Sequence, residues 1–351
     1  MSYGTKPKVS HPSLPPNKIG LLERDYEGVM STLCAGCGHD SVTAAIIRAV
    51  YELAIPPHRV AKFSGIGCSS KTPTYFLGAA HGVNSLHGRM PSIASGANAA
   101  NRDLYIIGTS GDGDSLSIGF GQFAHVARRN VNMLYVLQNN GVYGLTKGQF
   151  SASADLGSKL KKGETNQFNP IDPALLAISL GASFVARSFS GDKEQLIPLI
   201  KVGLRHGGFA FIDVISPCVT FNDHEASTKS YMHTRENRHE VVHMDFIQKA
   251  EEIVTQYEKG ASQRVVLHDG TPIVLKKTTD DFDPTDPISS HAYIRENQLK
   301  GQIATGLLYI DESVKDMHEV AETVETPLVD VPFEKLNPGA GALEELQAAY
   351  R

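Results

Sequence analysis

Tryptophan is absent from this 351-residue sequence, and cysteine occurs only four times. So few cysteines exclude a disulfide-built secreted scaffold; if they act, they act through thiol chemistry in a reducing compartment. Charge of one sign is scarce too. Against 38 acidic residues stand 33 Lys and Arg, a formal net charge of −5. With no basic block, a general nucleic-acid binder is not indicated. No apolar run approaches the ~20 residues that cross a bilayer, so no membrane role is expected. The opening residues carry Pro7, Pro12, Pro15 and Pro16 but no apolar core of a secretion signal, and the expected location is cytoplasmic. What is present is globular: 41% hydrophobic residues is too apolar for a disordered chain. At ~150 residues per domain the length allows about two domains.

The first twenty or so residues read as a Pro-rich arm. From about residue 40 helix and strand alternate. Asp40 to Ile55 sets Val42, Ala45, Ile46, Ala49, Val50 and Leu53 at helical spacing and closes at Pro56-Pro57. Val60 to Ser64 predicts a short strand, Ile93 to Ala100 a helix, Leu104 to Gly108 a buried strand, and Leu116 to Arg129 a helix. Val131 to Leu137 predicts a second buried strand; Pro173 to Leu180, Ser183 to Ala186, Lys193 to Arg205 and Phe209 to Ile215 continue the alternation. The pattern is an α/β fold, doubly wound around a mostly parallel sheet, in which ligands sit beyond the carboxyl ends of the strands. Three parts are expected: an arm over 1–22, the α/β domain over 23–240, and a C-terminal extension over 241–351. The extension reads as an amphipathic helix from Val241 to Tyr257, a hairpin around Asp269-Gly270, an acidic loop (Thr279 to Pro287) and a tail ending in a helix from Ala342 to Tyr350.

Two strand ends carry chemistry. Gly111-Asp112-Gly113-Asp114 follows one buried strand, and Asn139-Asn140-Gly141-Val142-Tyr143-Gly144 closes the next. Glycines let the backbone approach a diphosphate, and the following helix offers free N–H groups. An Asp beside a phosphate calls for a divalent cation between them, and Mg²⁺ prefers one or two protein oxygens plus phosphate oxygens. Each motif alone is equally a turn needing positive φ. At neighbouring strand ends, one βαβ step apart, the pair favours the cofactor reading.

The cysteines lie as Cys34-Ala35-Gly36-Cys37, Cys68 after a strand, and Cys218 after another. Four thiolates suit a structural zinc or an iron–sulfur cluster, a lone CxxC suits a redox dithiol, and unconnected buried cysteines are a further reading.

The Gly-Asp-Gly and Asn-Asn pair resembles the thiamine diphosphate motif. By that resemblance Asp112 and the Asn140 side chain ligate Mg²⁺ with the Val142 carbonyl, and Gly113 and Asp114 contact the diphosphate. A longer series reads Cys34-Ala-Gly-Cys37-Gly38-His39, Gly65-Ile66-Gly67-Cys68-Ser69-Ser70-Lys71, Leu86-His87-Gly88-Arg89, the GDGD motif, and Asn139 through Gln149. In that order, over roughly residues 20 to 235, it is similar to the thiamine-binding β subunit of the 2-oxoacid:ferredoxin oxidoreductases. The resemblance implies the thiamine diphosphate-binding fold and one 4Fe–4S cluster on Cys34, Cys37, Cys68 and Cys218. It also implies cofactor contacts from Ile66, Gly67, Cys68, Ser69, His87, Gly144 and Leu145. The long C-terminal part is more like the 2-oxoglutarate-type β subunits than the pyruvate-type ones.

The activity this resemblance implies is coenzyme A-dependent oxidative decarboxylation of a 2-oxo acid, 2-oxoglutarate first, with pyruvate or a branched-chain acid as alternatives. Electrons would leave one at a time through the cluster to ferredoxin, and the same chemistry reversed fixes CO₂. Lys71, Arg89 and Lys147 are candidates to neutralise substrate carboxylates, against the plainer reading of surface charges or phosphate partners. His87 is a candidate cofactor contact or proton-transfer group. His39 and His81 read better as satisfied polar residues. The Glu that thiamine enzymes set against the aminopyrimidine ring matches no motif here. The resemblance puts it on an α subunit, in an α2β2 assembly. Competing readings are a non-redox thiamine decarboxylase and a non-catalytic iron–sulfur or zinc electron-transfer module.

Overall fold

Apolar residues alternate along the central strands and so face both sides of one sheet. Ile106, Tyr135, Leu137, Phe209 and Phe211 pack on one side, and Ile107, Leu134, Val136, Ala210 and Ile212 on the other. The computed structural model describes residues 15–159, 163–242, 262–266, 272–276, 282–337, 339 and 341–350. In chain order the strands are β1 (Val60–Ser64), β2 (His81–Asn84), β3 (Tyr105–Gly111), β4 (Met133–Asn139), the short β5 (Val142–Tyr143) and β6 (Gln149–Phe150), β7 (Phe184–Phe189), β8 (Phe209–Ile215), β9 (Arg238–Val242), β10 (Ser262–Val266), β11 (Pro272–Lys276) and β12 (Ile303–Ile310). Eight of them form one sheet in the order β2-β1-β3-β4-β8-β7-β12-β9. Pairing is parallel from β2 to β7. Strand β12 runs antiparallel to β7, and β9 runs parallel to β12. The mostly parallel α/β sheet is therefore as expected.

Helices cover both faces. α1 (Gly38–Glu52) and α5 (Lys193–Arg205) bury Val42, Ile46, Val50, Leu196, Leu199 and Ile200 on one face. α2 (Met90–Ala100), α3 (Phe120–Arg128) and α4 (Pro173–Ser179) bury Met90, Phe123, Val126, Leu175 and Ile178 on the other. Local chemistry sets their ends. Asp172 caps α4 by accepting from Ala174 N and Leu175 N, with Pro173 where no N–H is needed. Helix α1 stops at Ala54, which takes φ +52° ahead of Pro56-Pro57.

Three differences from the sequence reading have physical causes. Strand β3 continues to Gly111, so the Gly-Asp-Gly turn starts on the strand itself. The helix expected from Leu116 begins earlier, as a π-turn over Gly113–Ile118. It is separated from α3 at Gly119, where the Gly119 N–H reaches the Asp114 carbonyl at 2.8 Å. The extension is not wholly peripheral. A helix over Pro287–Leu299 leads into β12, which buries Leu308 within the main core beside β7. An isolated apolar run cannot announce which distant strand it pairs with, so the sequence alone put it outside the sheet. β10 and β11 pair antiparallel as the expected hairpin. Its turn residues, nearly all of the helix expected over Val241 to Tyr257, and the arm's first fourteen residues lie outside the described residues.

Candidate cofactor and metal site

The loops that follow β1, β2, β3 and β4 meet over one small cavity of about 90 Å³, lined by Ile66, Gly67, Cys68, Ser69, His87, Asp112, Gly113, Asp114, Asn140, Val142, Gly144 and Leu145 among others. Two motifs far apart in the chain are thus brought to one place, as the parallel topology requires. At its floor the Asp112 carboxylate is buried. Its Oδ2 accepts from Gly141 N at 2.9 Å, from Ser153 Oγ at 2.6 Å and from Ser151 Oγ. Its Oδ1 has no hydrogen bond among the described residues, and Asp112 has no ion-pair partner there. Asn140 is buried beside it, with Oδ1 accepting from Val142 N at 3.0 Å and Nδ2 3.4 Å from His39 Nε2. Burial holds His39 down to about 4, so the imidazole is neutral, and its Nδ1 meets Ser216 Oγ at 2.6 Å. Close approach is built in: a Cβ on Gly113 would fall 2.5 Å from the Tyr143 ring.

Asp114 does something different from Asp112. Its carboxylate turns into the protein, where Oδ2 accepts from Ser110 Oγ at 2.5 Å and Oδ1 from Gly88 N at 2.7 Å and Ile66 N at 3.2 Å. His87 Nδ1 lies 2.5 Å from the same Oδ1. The sequence reading had this side of the motif at the diphosphate. Here the Asp114 carboxylate joins three loops.

The four cysteines are free thiols. Cys37 begins α1, Cys68 follows β1 and Cys218 follows β8, and the charges of all four act on one another. Burial pushes the Cys37 thiol up to about 12, helped by the Cys218, Asp40 and Cys68 charges. Burial raises Cys68 and Cys218 as well, with Lys71 opposing it at Cys68. Thr220 Oγ1 donates to Cys34 Sγ at 3.4 Å. Gly144 lies close to two of the sulfurs: a Cβ there would stand 3.5 Å from Cys68 Sγ and 3.6 Å from Cys218 Sγ.

The candidate cations are not gathered with these groups. Lys71 is half-buried beside Cys68, while Arg89 and Lys147 are exposed, and none of the three lines the cavity. Residues that carried no sequence signal are prominent: Ser151 and Ser153, which hold Asp112, and Asn222, whose Nδ2 donates to the Asn140 carbonyl at 2.8 Å. Ser153 also walls a larger cleft of about 650 Å³, in which Arg187 is buried between Asp172 and Asp213.

Comparison with known proteins gives the class first. Residues 65–214 match the thiamine pyrophosphate enzyme C-terminal TPP-binding domain, the segment that carries the cavity's loops after β1, β2, β3 and β4. The 2-oxoacid:ferredoxin oxidoreductase β subunit of Saccharolobus solfataricus is 42% identical over 248 residues, covering 68% of this chain and 79% of that one. The KorB subunit of a Mycobacterium tuberculosis 2-oxoglutarate oxidoreductase is 37% identical over 191 residues, covering 54% of this chain and 51% of its own. Among solved structures, a Magnetococcus marinus 2-oxoglutarate:ferredoxin oxidoreductase, bound to 2-oxoglutarate, coenzyme A and succinyl-CoA, superposes with a TM-score of 0.71 at 29% identity. The superposition covers 94% of this chain and 96% of that one. The chain belongs to the family of 2-oxoacid:ferredoxin oxidoreductase β subunits. No helix among the described residues is long and apolar enough to cross a membrane.

Proposed function

We propose that this β subunit binds thiamine diphosphate with Mg²⁺ and a 4Fe–4S cluster, and that with an α subunit it oxidatively decarboxylates 2-oxoglutarate to succinyl-CoA, reducing ferredoxin. The observation that carries the reading is Cys68: it lines the cofactor cavity, and its sulfur and that of Cys218 both lie close to Gly144. An electron acceptor held by that cysteine would lie against the cofactor.

The residues fit both groups. Asp112 is a buried residue whose Oδ1 has no protein donor among the described residues, and it lines the cavity with Asn140 and Val142. Among the described residues no three His, Cys, Asp or Glu side chains converge on one metal ion. Mg²⁺ does not need such a set, since amide, carbonyl and phosphate oxygens complete its shell. Four free thiols, two of them with their sulfurs near the Gly144 backbone, are the ligand type and number that a 4Fe–4S cluster takes. When bound, thiamine diphosphate supplies the carbanion chemistry of decarboxylation and the cluster supplies one-electron acceptance. Ile66, Gly67, Ser69, Gly113, Gly144 and Leu145 would enclose the cofactor, and His87 would handle a proton. Lys71, Arg89 and Lys147 would meet substrate carboxylates only if the bound complex brings them inward. Substrate and coenzyme A are the ligands of the Magnetococcus structure, which makes 2-oxoglutarate the first substrate to test. Free thiols and iron–sulfur chemistry suit a cytoplasmic α2β2 enzyme.

The test is co-expression with the α subunit, followed by iron and thiamine analysis and ferredoxin reduction with 2-oxoglutarate, pyruvate and branched-chain 2-oxo acids. A brown complex with four irons per β subunit and a preference for 2-oxoglutarate is expected. A colourless, iron-free complex that still decarboxylates would favour a non-redox thiamine enzyme. Preference for pyruvate would overturn the substrate alone.

A further inference from the structure

Asp114 is buried, and its carboxylate is fixed from several directions. Gly88 N and Ile66 N donate to Oδ1 at 2.7 and 3.2 Å, and Ser110 Oγ donates to Oδ2 at 2.5 Å. Ser110 is itself held by Ser115 at 2.8 Å, and Ser115 meets the Tyr135 hydroxyl at 2.6 Å. A Cβ on Gly65 would fall 1.9 Å from Asp114 Oδ2, so the first loop can approach only as glycine. None of this needs a ligand. What the carboxylate does reach is His87, whose buried Nδ1 lies 2.5 Å from Oδ1 and has no other partner, a close ionic contact short of hydrogen-bond geometry. The His87 side chain is 33% exposed and lines the cavity, so its open edge is the one bearing Nε2. Its other close neighbour is the Tyr143 ring at 6.2 Å; the titratable groups sharing the cavity are Asp112, His39 and Cys68.

We propose that Asp114 is a positioning residue that holds His87 with Nδ1–H toward the carboxylate and Nε2 toward the cavity, and that His87 is the proton-transfer group there. The proposal rests on the thiamine-enzyme reading above. Protonated His87 gives its Nε2 proton to the keto oxygen of the bound 2-oxo acid as that oxygen gains charge. The same nitrogen takes the proton back when the carbonyl reforms. Nδ1–H stays on Asp114 throughout, and no electron passes through the pair. The logic is that of any carboxylate-oriented imidazole, where replacing the carboxylate by an amide leaves the ring in the wrong tautomer.

The experiment compares wild type, Asp114→Asn, His87→Gln and the double variant in the co-expressed complex. Without thiamine, carbethoxylation of His87 at pH 8, mapped by mass spectrometry, should slow severalfold in Asp114→Asn, while thiamine diphosphate affinity in that variant stays within about threefold. Turnover should fall about 100-fold or more in either single variant. The double variant should be no slower than His87→Gln alone. An unchanged carbethoxylation rate, or losses that multiply in the double variant, would show Asp114 to be a loop clip only. Should Asp114→Asn not assemble, ¹⁵N-histidine spectra of the wild type decide: the resonance missing in His87→Gln must show Nδ1–H, and an Nε2–H tautomer refutes the proposal. The modification and NMR readouts use no substrate, so their failure is separate from failure of the 2-oxo acid assignment, which ferredoxin reduction tests.

Discussion

Asn222 Nδ2 donates to the Asn140 carbonyl at 2.8 Å, tying the loop after Cys218 to the loop after β4. The same Asn222 offers its backbone N–H to the Cys218 carbonyl at 2.9 Å. Cluster ligand and metal-site amide, as proposed, thus share one scaffold. Asn222→Leu strips a buried carbonyl of its donor, at a cost of about 1–3 kcal/mol. Iron retention and thiamine diphosphate affinity should fall together, measured as iron per chain and as cofactor dissociation constant. Loss of one without the other would disconnect the two loops.

Gly144→Ala is expected to separate folding from cluster binding. The added methyl meets two sulfurs at 3.5 and 3.6 Å, an ordinary contact for the free thiols, so the chain should fold with an unchanged melting temperature. The same methyl would crowd the two sulfurs where the proposed cluster is held. Visible absorbance and electron-paramagnetic signals should be lost or weakened; a wild-type spectrum would move the cluster away from Gly144.

Arg187 is buried between Asp213, whose Oδ2 accepts from Nε at 2.7 Å, and Asp172, whose Oδ1 accepts from Nη2 at 2.6 Å. Burial pushes Asp213 up from the ordinary carboxylate range, and the guanidinium opposes that push. Arg187→Met leaves the buried Asp213 carboxylate and the half-buried Asp172 carboxylate without their cation and should cost about 3–5 kcal/mol in denaturant unfolding. Because Asn139 Nδ2 donates to Asp213 and Asn139 Oδ1 accepts from Ser153, which also holds Asp112, weaker Mg²⁺-dependent cofactor binding should accompany it.

His206 predicts the acid limb of stability. Burial holds it down to about 4 in the folded chain, with Asp311 acting weakly the other way, while its Nε2 lies 2.7 Å from Ser183 Oγ. Unfolded, a histidine titrates near 6.5. Its contribution is therefore fully present above about 6.5 and is lost as pH falls toward 4, because only the unfolded chain takes the proton. Between pH 7 and 5 the loss should reach up to about 2 kcal/mol, and His206→Gln should flatten that part of the denaturation profile. An equally steep profile in the variant would assign the acid limb elsewhere.

Helix Lys193–Arg205 and strand Phe209–Ile215 were legible to the residue, because their periodicity and their Asp192 and Gly207-Gly208 boundaries are local. The Gly-Asp-Gly and Asn-Asn motifs were legible as a pair for a similar reason: each ends a strand whose apolar run is unmistakable. Ser151 and Ser153 were not, since a small-residue stretch carries no period and its hydroxyls matter only once Asp112 is near. Strand Ile303–Ile310 was hidden because its partner, β7, lies more than a hundred residues away in the chain.

The sequence alone determined the kinds of chemistry available: four thiols, an Asp and an Asn at strand ends, and strands able to form a parallel sheet. Such features depend on neighbours within a few residues, where backbone sterics and side-chain alternation dominate. Only the tertiary structure decided that Asp112 keeps one oxygen clear of protein donors among the described residues while Asp114 is spent on His87 and three loops. Likewise, only packing drew the sulfurs of Cys68 and Cys218 close to Gly144. Those outcomes belong to loops that meet across the end of the sheet, where hydrogen-bond satisfaction on burial, rather than local propensity, selects the arrangement.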